Sequence, residues 1–269
     1  MADETPNQQV PGDDRGFLLG DGLFETLLAD DGRLVWFEAH AARLVAGCAE
    51  LGLPAPSLSA LREAAEAAVA GAGLAAARAA VRLTWTAGSG GRGLDRPDHL
   101  VPALYAGAAS APRLTHPARL ATAEVRRNAG SPASRLKTLA YLDNVLARRE
   151  ARAAGADEAL MLNTAGEVAC AAAANLFWVA EGRLFTPALG CGVLAGVARA
   201  GVLKLCNDHG MAVAEVHAGP GALGACEALF LTNSLIGVRA VSRLDGRALW
   251  PHPLIERLAE QLEKLMAPQ

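Results

Sequence analysis

Between residues 107 and 117 the hydrophobic periodicity of the chain stops. The segment GAASAPRLTHP contains Pro112 and Pro117 and no apolar spacing of either helical or strand type. Proline fixes φ and removes a backbone donor, so neither a helix nor an inner strand runs through it. A break of this kind in a chain of 269 residues separates two modest domains. The expected organisation is a disordered acidic lead over 1–14, a small N-terminal domain over 15–110, a linker over 111–118 and a larger C-terminal domain over 119–269.

The elements on either side follow from apolar spacing. Upstream, 23–29 and 33–37 form a hairpin about Asp30-Asp31-Gly32. Ala42, Val45, Ala49 and Leu53 place a helix over 38–52, and a second helix covers 59–72. Strands are expected at 79–86 and 100–106. Downstream the expected order is a strand at 119–126 and a long helix from about 138 to 154. Short strands follow near 158–163, 167–170, 175–180 and 183–186, then a helix over 196–208. Strands near 211–217, 227–232 and 237–242 precede a last helix over 253–266. Helices and strands do not alternate regularly, so the fold class is α+β in two domains.

Composition excludes several functions. The net charge of −3 comes from 25 basic and 28 acidic residues, which does not supply the clustered cations of a nucleic-acid surface. No apolar run is long enough to span a bilayer, and the first residues lack the order of a signal peptide. The five cysteines, Cys48, Cys170, Cys191, Cys206 and Cys226, form no CxxC and no Cys/His spacing of a structural zinc site. No metal is therefore expected, and the location expected from cysteine usage is the cytoplasm.

Four short segments carry chemistry. Gly88-Ser89-Gly90-Gly91-Arg92-Gly93 has the GxGxxG form, but Pro97 follows where a dinucleotide site needs a helix. It reads either as a flexible hairpin loop or as an exposed cation, Arg92, on a backbone that can approach a carboxylate. Lys137 lies between Leu136 and Thr138-Leu139 at the end of a loop, where partial burial would free its amine for imine chemistry. Gly196 opens a helix whose first N–H groups, those of Val197 and Ala198, can hold a phosphate. Thr232-Asn233-Ser234 places hydroxyls at the end of an apolar strand.

These segments, in this order, resemble the class IV aminotransferases, the fold-type IV pyridoxal-phosphate enzymes. The resemblance rests on Arg15-Gly16-Phe17, Gly20-Asp21-Gly22-Leu23-Phe24-Glu25-Thr26 and Glu38-Ala39-His40-Ala41-Ala42-Arg43-Leu44. It continues through the Gly88–Gly93 loop, Leu136-Lys137-Thr138-Leu139, Asn144-Val145-Leu146-Ala147 and Gly155-Ala156-Asp157-Glu158-Ala159-Leu160. Asn175-Leu176-Phe177-Trp178, Thr186-Pro187 and Gly192 through Arg199 complete it. Within the family the chain is most similar to the aminodeoxychorismate lyase branch.

The resemblance implies a cofactor, pyridoxal 5'-phosphate, and a role for each matched residue. Lys137 would hold the cofactor covalently and move protons. Arg43, the backbone of Val197 and Ala198, and the Ser234 hydroxyl would bind its phosphate. Arg92 and Phe24 would meet the substrate. His40 either supports Arg43 or is a capping or surface histidine. The family's glutamate five positions before the asparagine of the NLF motif would face the cofactor's ring nitrogen, and here that position is Cys170. Glu167, three residues earlier, falls on the opposite side of a strand. Ala87, Leu94 and Ala140 also depart from the family pattern.

The implied activity is elimination of pyruvate from 4-amino-4-deoxychorismate to give 4-aminobenzoate, a step of folate synthesis. The alternatives are an aminotransferase for branched-chain or D-amino acids, or a cofactor-binding protein with degenerate catalysis. The expected partners are a small-molecule substrate and a second copy of the chain in a homodimer, with no nucleic acid and no membrane.

Overall fold

The computed structural model describes residues 9–266, so residues 1–8 of the expected disordered lead lie outside it. Asp14, the last residue of that lead, is buried and caps a five-residue helix, α1 (Arg15–Leu19), by accepting from the Phe17 N–H at 3.1 Å. It also accepts from the Thr86 hydroxyl at 2.7 Å. The ordered chain thus begins before residue 15, because a buried carboxylate is fixed by its donors.

Two compact units divide the chain. The first runs to Pro112 and also takes Leu136–Ala140. The second contains Arg113–Arg135 and the residues from Tyr141 onward. The division falls within the segment where periodicity stops.

The first unit is an antiparallel sheet with two helices. Its strands are β1 (Gly22–Asp30), β2 (Arg33–Leu34), β3 (Ala79–Thr86) and β4 (Ala103–Ser110), in the order β2-β1-β3-β4. The last strand starts later than expected and runs further. It pairs with β3 from Thr86↔Ala103 to Ala79↔Ser110, and Pro102 has no N–H to extend the ladder. Helices α2 (Phe37–Leu51) and α3 (Leu58–Gly71) cover one face. Leu23, Leu27, Leu44, Leu61 and Leu83 form the core between them. Truncating a fully buried leucine such as Leu27 or Leu61 to alanine costs about 2–5 kcal/mol.

The second unit holds the remaining elements. These are β5 (Ala118–Thr122), α4 (Pro132–Arg135), α5 (Leu142–Ala153), β6 (Glu158–Leu162), β7 (Val168–Ala171), β8 (Asn175–Ala180) and β9 (Arg183–Pro187). A 3-10 turn at Leu189–Cys191 leads to α6 (Val197–Asp208), β10 (Val213–Val216), α7 (Gly221–Gly224), β11 (Ala228–Asn233), β12 (Gly237–Leu244), β13 (Arg247–Ala248) and α8 (Pro253–Met266). The sheet order is β10-β9-β8-β11-β12-β5-β6-β7, with β13 on β12. The Val168 N–H donates to the Ala218 carbonyl at 2.8 Å, so the start of β7 meets the chain just beyond β10 and the sheet curls on itself. Strands β6, β7 and β8 are almost wholly buried, and Phe177 stacks on Phe230 with ring centres 4.9 Å apart.

The long helix begins at Leu142, not at Thr138. Residues 137–139 are occupied elsewhere. The Phe24 N–H donates to the Lys137 carbonyl at 2.9 Å, and the Leu139 N–H donates to the Gly22 carbonyl at 3.0 Å. β2 pairs with β1 only at Ala29 and Asp30, and the Lys137 strip fills the vacated edge. The lysine therefore belongs to the first unit, whereas the sequence reading placed it in the C-terminal domain.

Candidate active site

Successive side chains of a strand point to opposite faces, and β1 uses both. Phe24 faces away from α2 and lies beside Lys137, whose Nζ is 4.1 Å from the ring centre. Arg82, from β3, places its guanidinium carbon 3.8 Å from the same centre. Its Nε donates to the Thr84 hydroxyl at 3.1 Å. An aromatic face attracts cations, so Phe24 gathers the lysine amine and a guanidinium at one place. Phe24 is buried, Lys137 half-buried and Arg82 exposed.

Glu25, the next residue, points to α2. Its carboxylate accepts from Arg43 at Nε (2.8 Å) and at Nη2 (2.6 Å), and contacts His40 Nδ1 at 2.8 Å. His40 and Glu25 are both 1% exposed in their side chains, and Arg43 is 18% exposed. His40 is thus neither a cap nor a surface residue. It supports Arg43 through the carboxylate that both share, one helical turn apart on α2. Burial alone would raise the Glu25 pKa. The hydrogen bonds and charges of His40 and Arg43 outweigh that effect and hold it below the ordinary glutamate value.

The Gly88–Gly93 loop is not a free hairpin loop. It wraps the buried guanidinium of Arg15, which donates to the carbonyls of Asp95 and Leu94 at 3.0 Å and of Gly93 at 3.3 Å. Asp21 accepts from Arg15 at 3.0 Å and from Arg96 at 3.0 and 2.6 Å. Burial opposes ionisation of Asp21, and the two guanidiniums reverse that and lower its pKa. Gly91 has φ +82°, and a Cβ there would overlap the Asp95 carbonyl oxygen, so the turn requires glycine. Arg92 is exposed on this braced loop. A guanidinium that does lie over the Phe24 ring is that of Arg82.

In the second unit three asparagines join the turns that carry the remaining candidates. Asn175 Nδ2 donates to the Leu194 carbonyl at 2.9 Å, ahead of α6. Asn233 Nδ2 donates to the Ala173 carbonyl at 2.9 Å. Its Oδ1 accepts from the N–H groups of Leu235 and Ile236, both at 2.9 Å. That fixes the turn bearing half-buried Ser234. Asn144 bridges buried Arg127, at 3.1 Å, to the Ala172 carbonyl, at 2.7 Å. Arg127 also donates to the Ser134 carbonyl.

This unit offers a cradle for an anion. Helix α6 starts at Val197 and has no side-chain cap, because Gly196 precedes it. Its first N–H groups have no intrahelical acceptor. A Cβ on Gly196 would overlap Asn175 Oδ1, so the bond that holds the approach to α6 excludes any other residue. Thr232 Oγ1, next to this turn, is buried without a hydrogen-bond partner. The uncapped N–H groups, the unsatisfied Thr232 hydroxyl and Ser234 are each groups of a kind that can donate to a phosphate.

Cys170 lies on β7, opposite Met161 of β6, and is 7% exposed. Burial pushes its thiol pKa up; the Arg127 charge opposes the shift and the Glu158 charge adds to it. The thiol is therefore neutral. Glu167 is not its substitute, since its carboxylate engages Asn163 at 2.8 Å and His217 at 3.1 Å.

Residues 22–244 match the family model described as Amino-transferase class IV. The chain belongs to the class IV aminotransferases. A candidate branched-chain-amino-acid aminotransferase of Methanocaldococcus jannaschii is 32% identical over 242 residues, covering 88% of this chain and 83% of that protein. The aminodeoxychorismate lyase of Vibrio harveyi is 29% identical over 246 residues, covering 90% and 89%. Among solved structures, a candidate 4-amino-4-deoxychorismate lyase of Legionella pneumophila superposes with a TM-score of 0.91 at 31% identity, covering 98% of this chain and 97% of that one. Class IV aminotransferases are pyridoxal-phosphate-dependent enzymes of a two-domain α+β fold, and this chain has that fold. Within this class IV aminotransferase, the sequence reading gave no role to Glu25, Arg15, Asp21 or Arg127. Glu25 alone had a local signal: an acidic residue in the middle of an apolar strand.

Proposed function

We propose that the chain is a pyridoxal-phosphate-dependent lyase that converts 4-amino-4-deoxychorismate to 4-aminobenzoate and pyruvate. The observation that carries this reading is the neutral, buried thiol of Cys170 in the place of a carboxylate. When bound, the cofactor supplies an electron sink for the bond electrons released at the amine-bearing carbon. If Cys170 met the cofactor ring, its neutral thiol would weaken that sink. Transamination relies on it fully. The lyase reaction also gains an aromatic ring as pyruvate leaves, so it tolerates a weaker one.

The chain's own groups would act as follows. Lys137 Nζ would hold the cofactor and, once released, carry the proton taken from the substrate. Phe24 keeps that amine at a fixed place. The Val197 and Ala198 N–H groups and the Ser234 hydroxyl would orient the phosphate, with Arg43 as a further cation whose direction Glu25 sets. Arg92, on its Arg15-braced loop, or Arg82 would meet a substrate carboxylate. No helix among the described residues is long and apolar enough to cross a membrane, and the five cysteines are free; both agree with a cytoplasmic enzyme. A homodimer would cover exposed apolar residues such as Phe17 and Leu18 of the first unit.

The direct test supplies 4-amino-4-deoxychorismate to cofactor-loaded protein and measures 4-aminobenzoate and pyruvate. Equal yields of both support the lyase. No product, together with amino-group exchange from branched-chain or D-amino acids to a keto acid, replaces it with the aminotransferase reading. The likeness to the Methanocaldococcus relative favours that second reading.

A further inference from the structure

Three metal-ligating side chains that are far apart in the sequence converge on the surface of the second unit. Cys191 ends the 3-10 turn before α6, Glu167 lies in the turn between β6 and β7, and His217 follows β10. Cys191 Sγ is 3.4 Å from His217 Nδ1, and that nitrogen is 3.1 and 3.2 Å from the two oxygens of Glu167. One ligand atom from each residue lies within 4.8 Å of the others.

We propose that Glu167, Cys191 and His217 form a binding site for a divalent transition-metal ion of the zinc class. The distances suit one. With metal–sulfur and metal–nitrogen bonds of about 2.3 and 2.0 Å, a tetrahedral site has ligand–ligand edges of roughly 3.3–3.6 Å. The two edges that meet at His217 Nδ1, 3.4 Å to sulfur and 3.1 Å to a Glu167 oxygen, lie close to these, and the third lies within 4.8 Å. A thiolate, a carboxylate and a neutral imidazole carry two negative charges, which a divalent ion cancels. Mixed sulfur, nitrogen and oxygen ligands favour zinc over magnesium or calcium.

The surroundings hold the ligands in place. Asn163 Nδ2 donates to Glu167 Oε2 at 2.8 Å and orients the carboxylate, as outer-shell partners of metal ligands do. The His217 ring lies against Gly190, where a Cβ would come within 3.1 Å of Cε1 and Nε2. The thiol side is buried and the histidine side exposed, which gives the ion a way in and leaves its fourth position to water. Binding displaces the thiol proton of Cys191. The site would clasp the turn before α6 to the ends of two strands, and it does not depend on the proposed activity.

The test is calorimetric titration of chelator-treated holoenzyme with zinc chloride. The expected result is one saturable site per chain, weakened about 100-fold or more in Cys191→Ser and in His217→Ala and unchanged in Cys206→Ser. X-ray absorption of zinc-loaded wild type, which needs no variant to fold, should show one sulfur neighbour at about 2.3 Å. No saturable binding, equal affinity in Cys191→Ser, or a shell of nitrogen and oxygen alone would overturn the proposal.

Discussion

The Lys137 carbonyl accepts the Phe24 N–H at 2.9 Å, and the lysine Nζ lies 4.1 Å from the Phe24 ring centre. Backbone and side chain of one residue are thus fixed by one residue of a neighbouring strand. Phe24→Leu keeps the backbone bond and the apolar bulk but removes the ring. A cation–π contact contributes about 0.5–2 kcal/mol, so kcat/KM should fall roughly 2- to 30-fold with the thermal midpoint nearly unchanged. Steady-state kinetics with melting curves on the same samples check this. An unaltered kcat/KM would show that the ring does not position the amine.

Glu25 is the buried anion shared by His40 and Arg43. Removing one partner of a buried pair strands the others, at about 3–5 kcal/mol. Glu25→Gln keeps part of the hydrogen bonding, so the loss should be on the order of 3 kcal/mol. Urea unfolding measures it. Retention of wild-type stability would mean that the carboxylate contributes nothing net.

The same residue sets an acid limb. The folded pKa of Glu25 lies below its ordinary value of 4.5, so its stabilisation is fully present above that pH and is lost as pH falls through the folded value. Asp21 adds to this with an ordinary value of 3.8, also lowered. Unfolding free energy should decline below about pH 4.5, and less steeply in Glu25→Gln. Parallel acid limbs for the two proteins would contradict this origin.

The elements legible in the sequence were those defined by local patterning. The strand at 79–86 largely alternates in burial, helix 253–266 has one apolar stripe, and 176–180 is a continuous apolar run after Asn175; the structure reproduces the bounds of all three elements. Lys137 stood out in the sequence as a candidate reactive lysine, but its conformation was not legible there. That is decided by hydrogen bonds to Gly22 and Phe24 over a hundred residues upstream, and local propensity carries no trace of them. Helix α1 was missed because five residues are too few to show a period. The Glu25–His40–Arg43 cluster and the Glu167–Cys191–His217 cluster are products of register and turn placement, which single-residue patterns do not encode.

Gly91→Ala should lower activity on a dicarboxylate substrate about tenfold or more while leaving cofactor binding intact. The loop would lose its left-handed turn, and strain of about 1–3 kcal/mol would displace Arg92. Separate measurement of KM and of cofactor affinity distinguishes the two effects. A variant with unchanged KM and kcat would remove the braced loop from substrate recognition.

Cys170→Glu should raise the rate of amino-group exchange with amino acids at least several-fold, because under the proposed function a carboxylate there would supply the missing ring-nitrogen partner. Single-turnover absorbance with D-alanine or leucine reads that rate. No gain, in a variant that still folds and holds the cofactor, would show that the thiol is not what limits transamination.

The proposed function rests on Lys137 as the residue that holds the cofactor. Borohydride treatment of cofactor-saturated protein, followed by peptide mass analysis, tests it most directly. One phosphopyridoxyl group per chain is expected, on the peptide containing Lys137, and none in Lys137→Ala. An unmodified Lys137, or a label on another lysine, would contradict it.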